Sequence, residues 1–167
     1  MLFSVKKINL IFSFIFFLAV SPFSLIAQKA DFSGIWKLDK DRTDFGKVFP
    51  AYTTPYVMKV DQQRDSLMIE RNSKDGQGEL HNYVEKLPFD GHVIENMIKS
   101  TKKRAMIQWS IENQSLTETA TYKDYSAGME YKATEIWTLT DEGKTLMITR
   151  QDEGQDGNDI RRMIYTR

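Results

Sequence analysis

The sequence predicts an all-β protein, an up-and-down antiparallel β-barrel of eight to ten strands. Three observations carry this expectation. Apolar side chains recur at every second position over many short segments, the period of a strand with one buried face. Turn residues separate these segments at close, regular intervals. Aromatic residues make up 12% of the chain, which favours β structure over a helical bundle. A meander of this many strands has two open edges, and closure into a barrel removes them.

The first predicted strand is 34–40, with Trp36 and Leu38 on one face and Gly34 letting the backbone enter it tightly. A large aromatic so near a strand start points to a plug for the closed sheet. Residues 41–55, rich in Asp, Thr, Pro and Gly, form a connection too broken for two packed helices. Residues 56–62 alternate Tyr56, Met58 and Val60 against Val57, Lys59 and Asp61. Arg64 and Asp65 turn the chain into 66–72, where Leu67 and Ile69 share a face. Asp75-Gly76 marks the next turn. Residues 79–87 and 92–98 are mixed strands separated by Pro88-Phe89-Asp90-Gly91. Residues 103–112 put Ala105, Ile107, Trp109 and Ile111 on one face, and Asn113-Gln114 reads as a two-residue turn. Residues 115–122 set Leu116, Glu118, Ala120 and Tyr122 against three threonines. After a loop at 125–128, residues 129–140 put Tyr131, Ala133, Glu135, Trp137 and Leu139 on one face. Asp141-Glu142-Gly143 leads into 144–151, and 160–167 is the last strand. The acidic, Gly-bearing stretch 152–159 between them reads as a solvated hairpin loop. It fails as a calcium loop, because Gly154 and Met163 fall where oxygen ligands are needed.

The N-terminus carries an export signal. Lys6 and Lys7 precede a largely apolar run, 8–20; Ser21-Pro22 breaks it, and cleavage is expected after Ala27. The apolar run is shorter than the roughly 20 residues of a spanning helix, so stable membrane insertion is not expected. Residues 1–27 are thus a signal peptide, and 28–167 form one domain with its own core. The chain has no Cys, which excludes a lipoprotein anchor and a disulfide. Without the signal, 21 basic residues face 23 acidic ones, a balance that does not favour nucleic acid.

With this strand pattern, Phe32-x-Gly34-x-Trp36-Lys37-Leu38 resembles the first strand of the calycins, the superfamily of lipocalins and fatty-acid-binding proteins. The chain also resembles the secreted lipocalin-like proteins of Bacteroidetes. The resemblance implies a lipocalin-like β-barrel over 28–167 in which Trp36 closes one end. A basic residue from the last strand would pack over its ring, with Arg161, Arg162 and Arg167 as candidates. The turn Leu139-Thr140-Asp141-Glu142-Gly143-Lys144 is similar to that between the last long strands of fatty-acid-binding proteins. Two features depart from those proteins. Residues 41–55 cannot supply their helical lid. Tyr165 matches their carboxylate-binding tyrosine, but Met163 stands in place of its arginine partner.

The polar candidates are Glu118 and Glu135, each on an otherwise apolar face of neighbouring strands. An unpaired carboxylate in a solid core would be costly. Arg71 and Arg150 have the phase to point inward and pair with them. Two readings stand side by side: contacts for a ligand, or an internal ion-pair network. A carboxylate-pair hydrolase is a third reading. Tyr122, Tyr131, Trp109, Trp137 and Tyr165, with Tyr56 and Tyr83, would line an apolar pocket or pack as core. His81 and His92 have no metal-ligand spacing, so no metal or cofactor is expected. The expectation is therefore an exported monomeric barrel, periplasmic or secreted, that binds a small apolar or amphipathic molecule. The alternative is a ligand-free interaction module of the cell envelope.

Overall fold

The computed structural model describes residues 29–48, 50–154 and 157–167. The predicted signal peptide, 1–27, lies outside the described residues. Ten strands follow in chain order: β1 (Gly34–Leu38), β2 (Val57–Gln62), β3 (Ser66–Lys74), β4 (Leu80–Pro88), β5 (Ile94–Ile98), β6 (Thr101–Trp109), β7 (Ser115–Asp124), β8 (Met129–Thr140), β9 (Thr145–Gly154) and β10 (Gly157–Thr166). All pairings are antiparallel, and the sheet order is β4-β3-β2-β1-β10-β9-β8-β7-β6-β5. The first and last strands pair, and β4 packs beside β5 and β6, so the up-and-down barrel is nearly closed. This fold is compatible with the calycin-like one. No helix among the described residues is long and apolar enough to cross a membrane.

Alternation divides each strand into an inner and an outer face, because successive side chains point to opposite sides. The inward residues change character along the barrel axis. At one end they are apolar: Trp36, Val60, Leu67, Leu87, Ile107, Leu116, Trp137 and Leu146 are all buried. Toward the other end the same faces carry Arg71, Glu85, Lys103, Glu118, Glu135, Arg150, Asp152 and Arg161. Between β6 and β8 lies a row of small residues, Ala105 opposite Ala120 opposite Ala133. These three leave the space that long charged side chains beside them occupy.

Trp36 lies buried at the apolar end. Its ring is fully buried, and its indole N–H donates to the Phe32 carbonyl at 2.9 Å. The Arg167 guanidinium stands over the ring, 4.7 Å from its centre, and donates to the Ser33 carbonyl at 3.0 Å. Gly34 has φ +144°, and a Cβ there would stand 3.4 Å from Arg167 Nη1. Arg161 and Arg162 do not cover Trp36. Leu38 pairs with Tyr165, which sets Trp36 at the level of Arg167. Arg161 lies six residues earlier on β10, about 20 Å away at about 3.3 Å per residue. Arg162 points outward, and its backbone forms a bridge with Asp44.

Most strand boundaries differ from the sequence expectation by one or two residues; the ends of β6 and β9 and the start of β10 differ by three. β6 ends at Trp109, and Ile111 is 97% exposed, because Ser110 N–H donates to the Ser115 carbonyl and closes a longer loop than two residues. β9 and β10 continue through the stretch read as a loop, with Asp152 opposite Asp159 and Gly154 opposite Gly157. Residues 155–156, between the two strands, lie outside the described residues. Asp152 is buried instead of solvated, because Arg150 and Arg161 bind its carboxylate. The connection between β1 and β2, residues 39–56, holds one 3-10 turn among its described residues, Ala51–Thr53. This connection is tied to β10: Asp39 N–H donates to the Ile164 carbonyl, and Asp44 bridges to Arg162.

Candidate functional site

The charged inner faces meet because of register. Across β6 to β10 one row reads Ile107, Glu118, Glu135, Arg150, Arg161, each directly opposite the next. Glu118 and Glu135 are therefore like charges side by side, which is unfavourable without a cation between them. Arg71 on β3 provides it from across the barrel: Nη2 donates to Glu118 Oε2 at 2.8 Å and to Glu135 Oε2 at 3.2 Å, and Nε to Glu85 at 3.3 Å. Lys103 Nζ binds both oxygens of Glu85, at 2.8 and 2.7 Å, and also Glu118. Arg150 joins Glu135 at 2.9 Å to Asp152 at 2.7 Å, and Arg161 holds Asp152 from the other side at 2.6 Å. Tyr83 O–H and Trp137 N–H donate to Glu85 and Glu135. Four cations thus share four carboxylates in one continuous chain of contacts. Moving such groups out of water costs several kcal/mol each, and close charge-assisted hydrogen bonds offset that cost.

A fifth inward carboxylate, Asp159, is held differently. It accepts the Lys47 N–H at 2.9 Å and the Val48 N–H at 3.3 Å, which ties the 39–56 connection to β10. Gly46, at φ +71°, passes so close that a Cβ would stand 2.5 Å from Asp159 Oδ2. Only glycine fits that crossing.

The network forms one side of a chamber of about 220 Å³ at the polar end of the barrel. Arg71, Lys103, Glu135, Arg150 and Arg161 reach it from the strands. Tyr83, Tyr122 and Tyr131 give it planar walls, and Thr53, Thr54 and Pro55 of the long connection border it. Tyr122 and Tyr131 stack 4.7 Å apart at 7°. The Arg150 guanidinium lies 5.3 Å from the Tyr122 ring centre, a cation–π contact. Burial pushes the Tyr131 hydroxyl up to about 12. Among the described residues, the hydrogen-bond partner of Arg71 Nη1 is Met58 Sδ, at 4.0 Å, a weak acceptor.

The residues singled out from sequence divide into two groups. Glu135, Arg150, Tyr122 and Tyr131 border the chamber, and Glu118 sits in the network with them. Trp137, Trp109 and Tyr165 do not line it. Trp137 is core, with Arg71 5.4 Å over its ring. Trp109 packs at the apolar end against Phe32 and Phe89, with Lys29 5.1 Å from its ring. Tyr165 is fully buried and donates to the Pro55 carbonyl at 3.1 Å. Lys103, Glu85 and Asp152 escaped the sequence reading. Lys103 shares the parity of Ala105 and Ile107, and Glu85 that of Leu87, so alternation alone points both inward. Hydrolytic carboxylates must reach solvent and substrate. Glu118 and Glu135 are 1% and 3% exposed and share Arg71 Nη2, the arrangement of ion-pair partners. Asp75, Glu79 and His81 gather at the β3–β4 turn as metal-type ligands, and the Lys99 ammonium lies 2.9 Å from His81 Nε2.

The three glutamates titrate apart. Burial pushes Glu135 upward, but the Arg71 and Arg150 charges outweigh it and hold its pKa well below 4.5. Burial likewise opposes ionisation of Glu85, and Lys103 and Arg71 hold it low. Glu118 goes the other way: burial dominates, Lys103 and Arg71 oppose it, and the charges of Glu85 and Glu135 tip it above 4.5. Glu85 and Glu135 therefore stabilise the fold above pH 4.5, and that stability is lost as pH falls through their folded values. Glu118 binds its proton more tightly when folded, so stability falls as pH rises from 4.5 through its raised value. Glu135→Gln is expected to lower stability by about 3–5 kcal/mol at pH 7. Glu118→Gln should cost clearly less at pH 7, with a loss that grows toward pH 4.5, because only the unsubstituted protein gains stability there by protonating Glu118. Urea denaturation followed by tryptophan fluorescence across this range checks the ordering; equal losses at pH 7 would refute it.

Compared with protein-family models and with curated proteins, the chain matches none.

Proposed function

We propose that the protein is an exported lipocalin-like barrel that binds a small amphipathic molecule in the chamber at its polar end. The observation that carries this reading is the chamber itself, about 220 Å³, room for roughly seven waters at about 30 Å³ each. Its lining favours an amphipathic ligand over a largely apolar one. Three tyrosines offer flat apolar faces. Arg71 Nη1 offers N–H groups that Met58 Sδ satisfies poorly, so a ligand oxygen would improve their pairing. Export rests on Lys6, Lys7, the apolar run 8–20 and Ala27, and leads to the periplasm or the exterior.

Native mass spectrometry of the protein purified from its own host tests the reading. The expected result is one small molecule bound per chain. Ser73 borders the chamber from β3, and Ser73→Trp would fill it. That variant should fold and appear without ligand. A ligand-free spectrum of the unsubstituted protein, or an unchanged ligand in Ser73→Trp, would overturn the proposal.

One observation favours a second reading, a ligand-free module of the cell envelope. The four interior cations and four carboxylates are already matched to one another. A network complete without a ligand serves a purely structural interior. The ligand-free spectrum would support this reading.

A further inference from the structure

A groove outside the barrel combines features that the chamber lacks. It lies between the 39–56 connection and the adjoining ends of β1, β2 and β3, with a volume of about 590 Å³. That is in the range of small-molecule sites. Register sets its floor. Lys37 on β1 lies opposite Val57 on β2, and Val57 opposite Asn72 on β3, two residues before Lys74. Trp36, Met58 and Arg71 take the inward positions of these strands, so Lys37, Val57 and Lys74 have the outward parity. Lys40 joins from the start of the connection, and Phe45, Tyr52 and Tyr56 add aromatic surface.

Three observations define what fits there. No carboxylate lines the groove, and among the described residues none of its three lysines has an ion-pair partner. The Lys74 ammonium lies over the Tyr56 ring, 5.9 Å from its centre, and both residues line the groove. Thr54, which borders both the groove and the chamber, is 4% exposed, and among the described residues its Oγ1 has no hydrogen-bond partner. A buried hydroxyl left unpaired is costly, and a ligand oxygen would relieve it.

We propose that this groove binds a free amphipathic anion. Its chain or ring would rest on Phe45, Tyr52 and Tyr56, and its carboxylate, sulfate or sulfonate head would be held by Lys37, Lys40 and Lys74. The site is distinct from the chamber and does not depend on the chamber's ligand.

The probe is 1-anilinonaphthalene-8-sulfonate, an aromatic anion whose emission rises in apolar surroundings. Saturable binding to the folded protein is expected, weakening with added salt. The double variant Lys37→Glu/Lys74→Glu should bind it about tenfold more weakly or worse, and Lys37→Arg/Lys74→Arg should bind it nearly as well. N-phenyl-1-naphthylamine, which has the rings without the sulfonate, should bind about tenfold more weakly. The lysines are exposed, so matching thermal melts should show that both variants fold. Absence of saturable binding, equal affinity in the glutamate variant, or equal affinity for the uncharged probe would overturn the proposal. So would association with phosphatidylglycerol vesicles in the absence of probe binding, which would assign the lysines to a lipid surface.

Discussion

Arg71→Met is expected to destabilise the barrel by about 3–5 kcal/mol at pH 7, because it leaves buried charges without their shared cation. Glu85, Glu118 and Glu135 all meet this one guanidinium. Lys103 and Arg150 still hold Glu85, Glu118 and Glu135 from the sides, so the loss is partial and the fold should persist. The pH dependence separates this from simple loss of packing. Without Arg71 the folded pKa values of the three glutamates rise. Groups with raised folded values gain stability as pH falls toward their ordinary 4.5. The gap between Arg71→Met and the unsubstituted protein should therefore narrow from pH 7 to pH 5. A gap that stays constant in urea denaturation over this range would count against the ion network. A combined Arg71→Met/Glu118→Gln variant should recover part of the loss, since it removes one stranded charge.

Trp36→Ala is the second large effect, about 3–5 kcal/mol for a fully buried indole. It opens a cavity at the apolar end and removes the donor to the Phe32 carbonyl. Arg167→Ala removes the cation above the ring, worth about 0.5–1 kcal/mol at an exposed site, together with its hydrogen bond to the Ser33 carbonyl. The ratio of these losses in urea denaturation tests whether Trp36 works as a plug or as a platform for Arg167. A loss below about 1 kcal/mol for Trp36→Ala would end the plug reading.

Alternation was sufficient where apolar neighbours marked the inner face on both sides. Glu118 lies between Leu116 and Ala120, and Glu135 between Ala133 and Trp137, so their inward direction was legible. Arg71 and Arg150 have an apolar marker on one side, Ile69 and Ile148, and that side sufficed to give their phase; both point inward and meet the glutamates. Tyr83, named among the aromatics, borders the chamber; Lys103 has Ala105 on one side and Thr101 on the other, a weak marker, although its parity points inward. Asp152 and Asp159 carried the opposite signal. Acidic residues interspersed with glycine have the composition of a solvated loop. Pairing with the neighbouring strand carried β9 and β10 through that stretch.

Strand count, hairpin order and the inward face are local properties, because period and turn chemistry act between residues near in sequence. By itself the sequence determined an all-β meander, the inward position of Trp36 on the first strand and the inward phase of Glu118 and Glu135. Only the tertiary structure decided which charges meet. Lys103 on β6 binds Glu85 on β4, two strands with no ladder between them that approach only because the sheet curls nearly shut. Arg71 crosses the interior to reach β7 and β8. Trp36 met Arg167 instead of Arg161 because inter-strand register sets height along the axis. Closure and register are set by the summed pairing of ten strands, and no short stretch of sequence contains them.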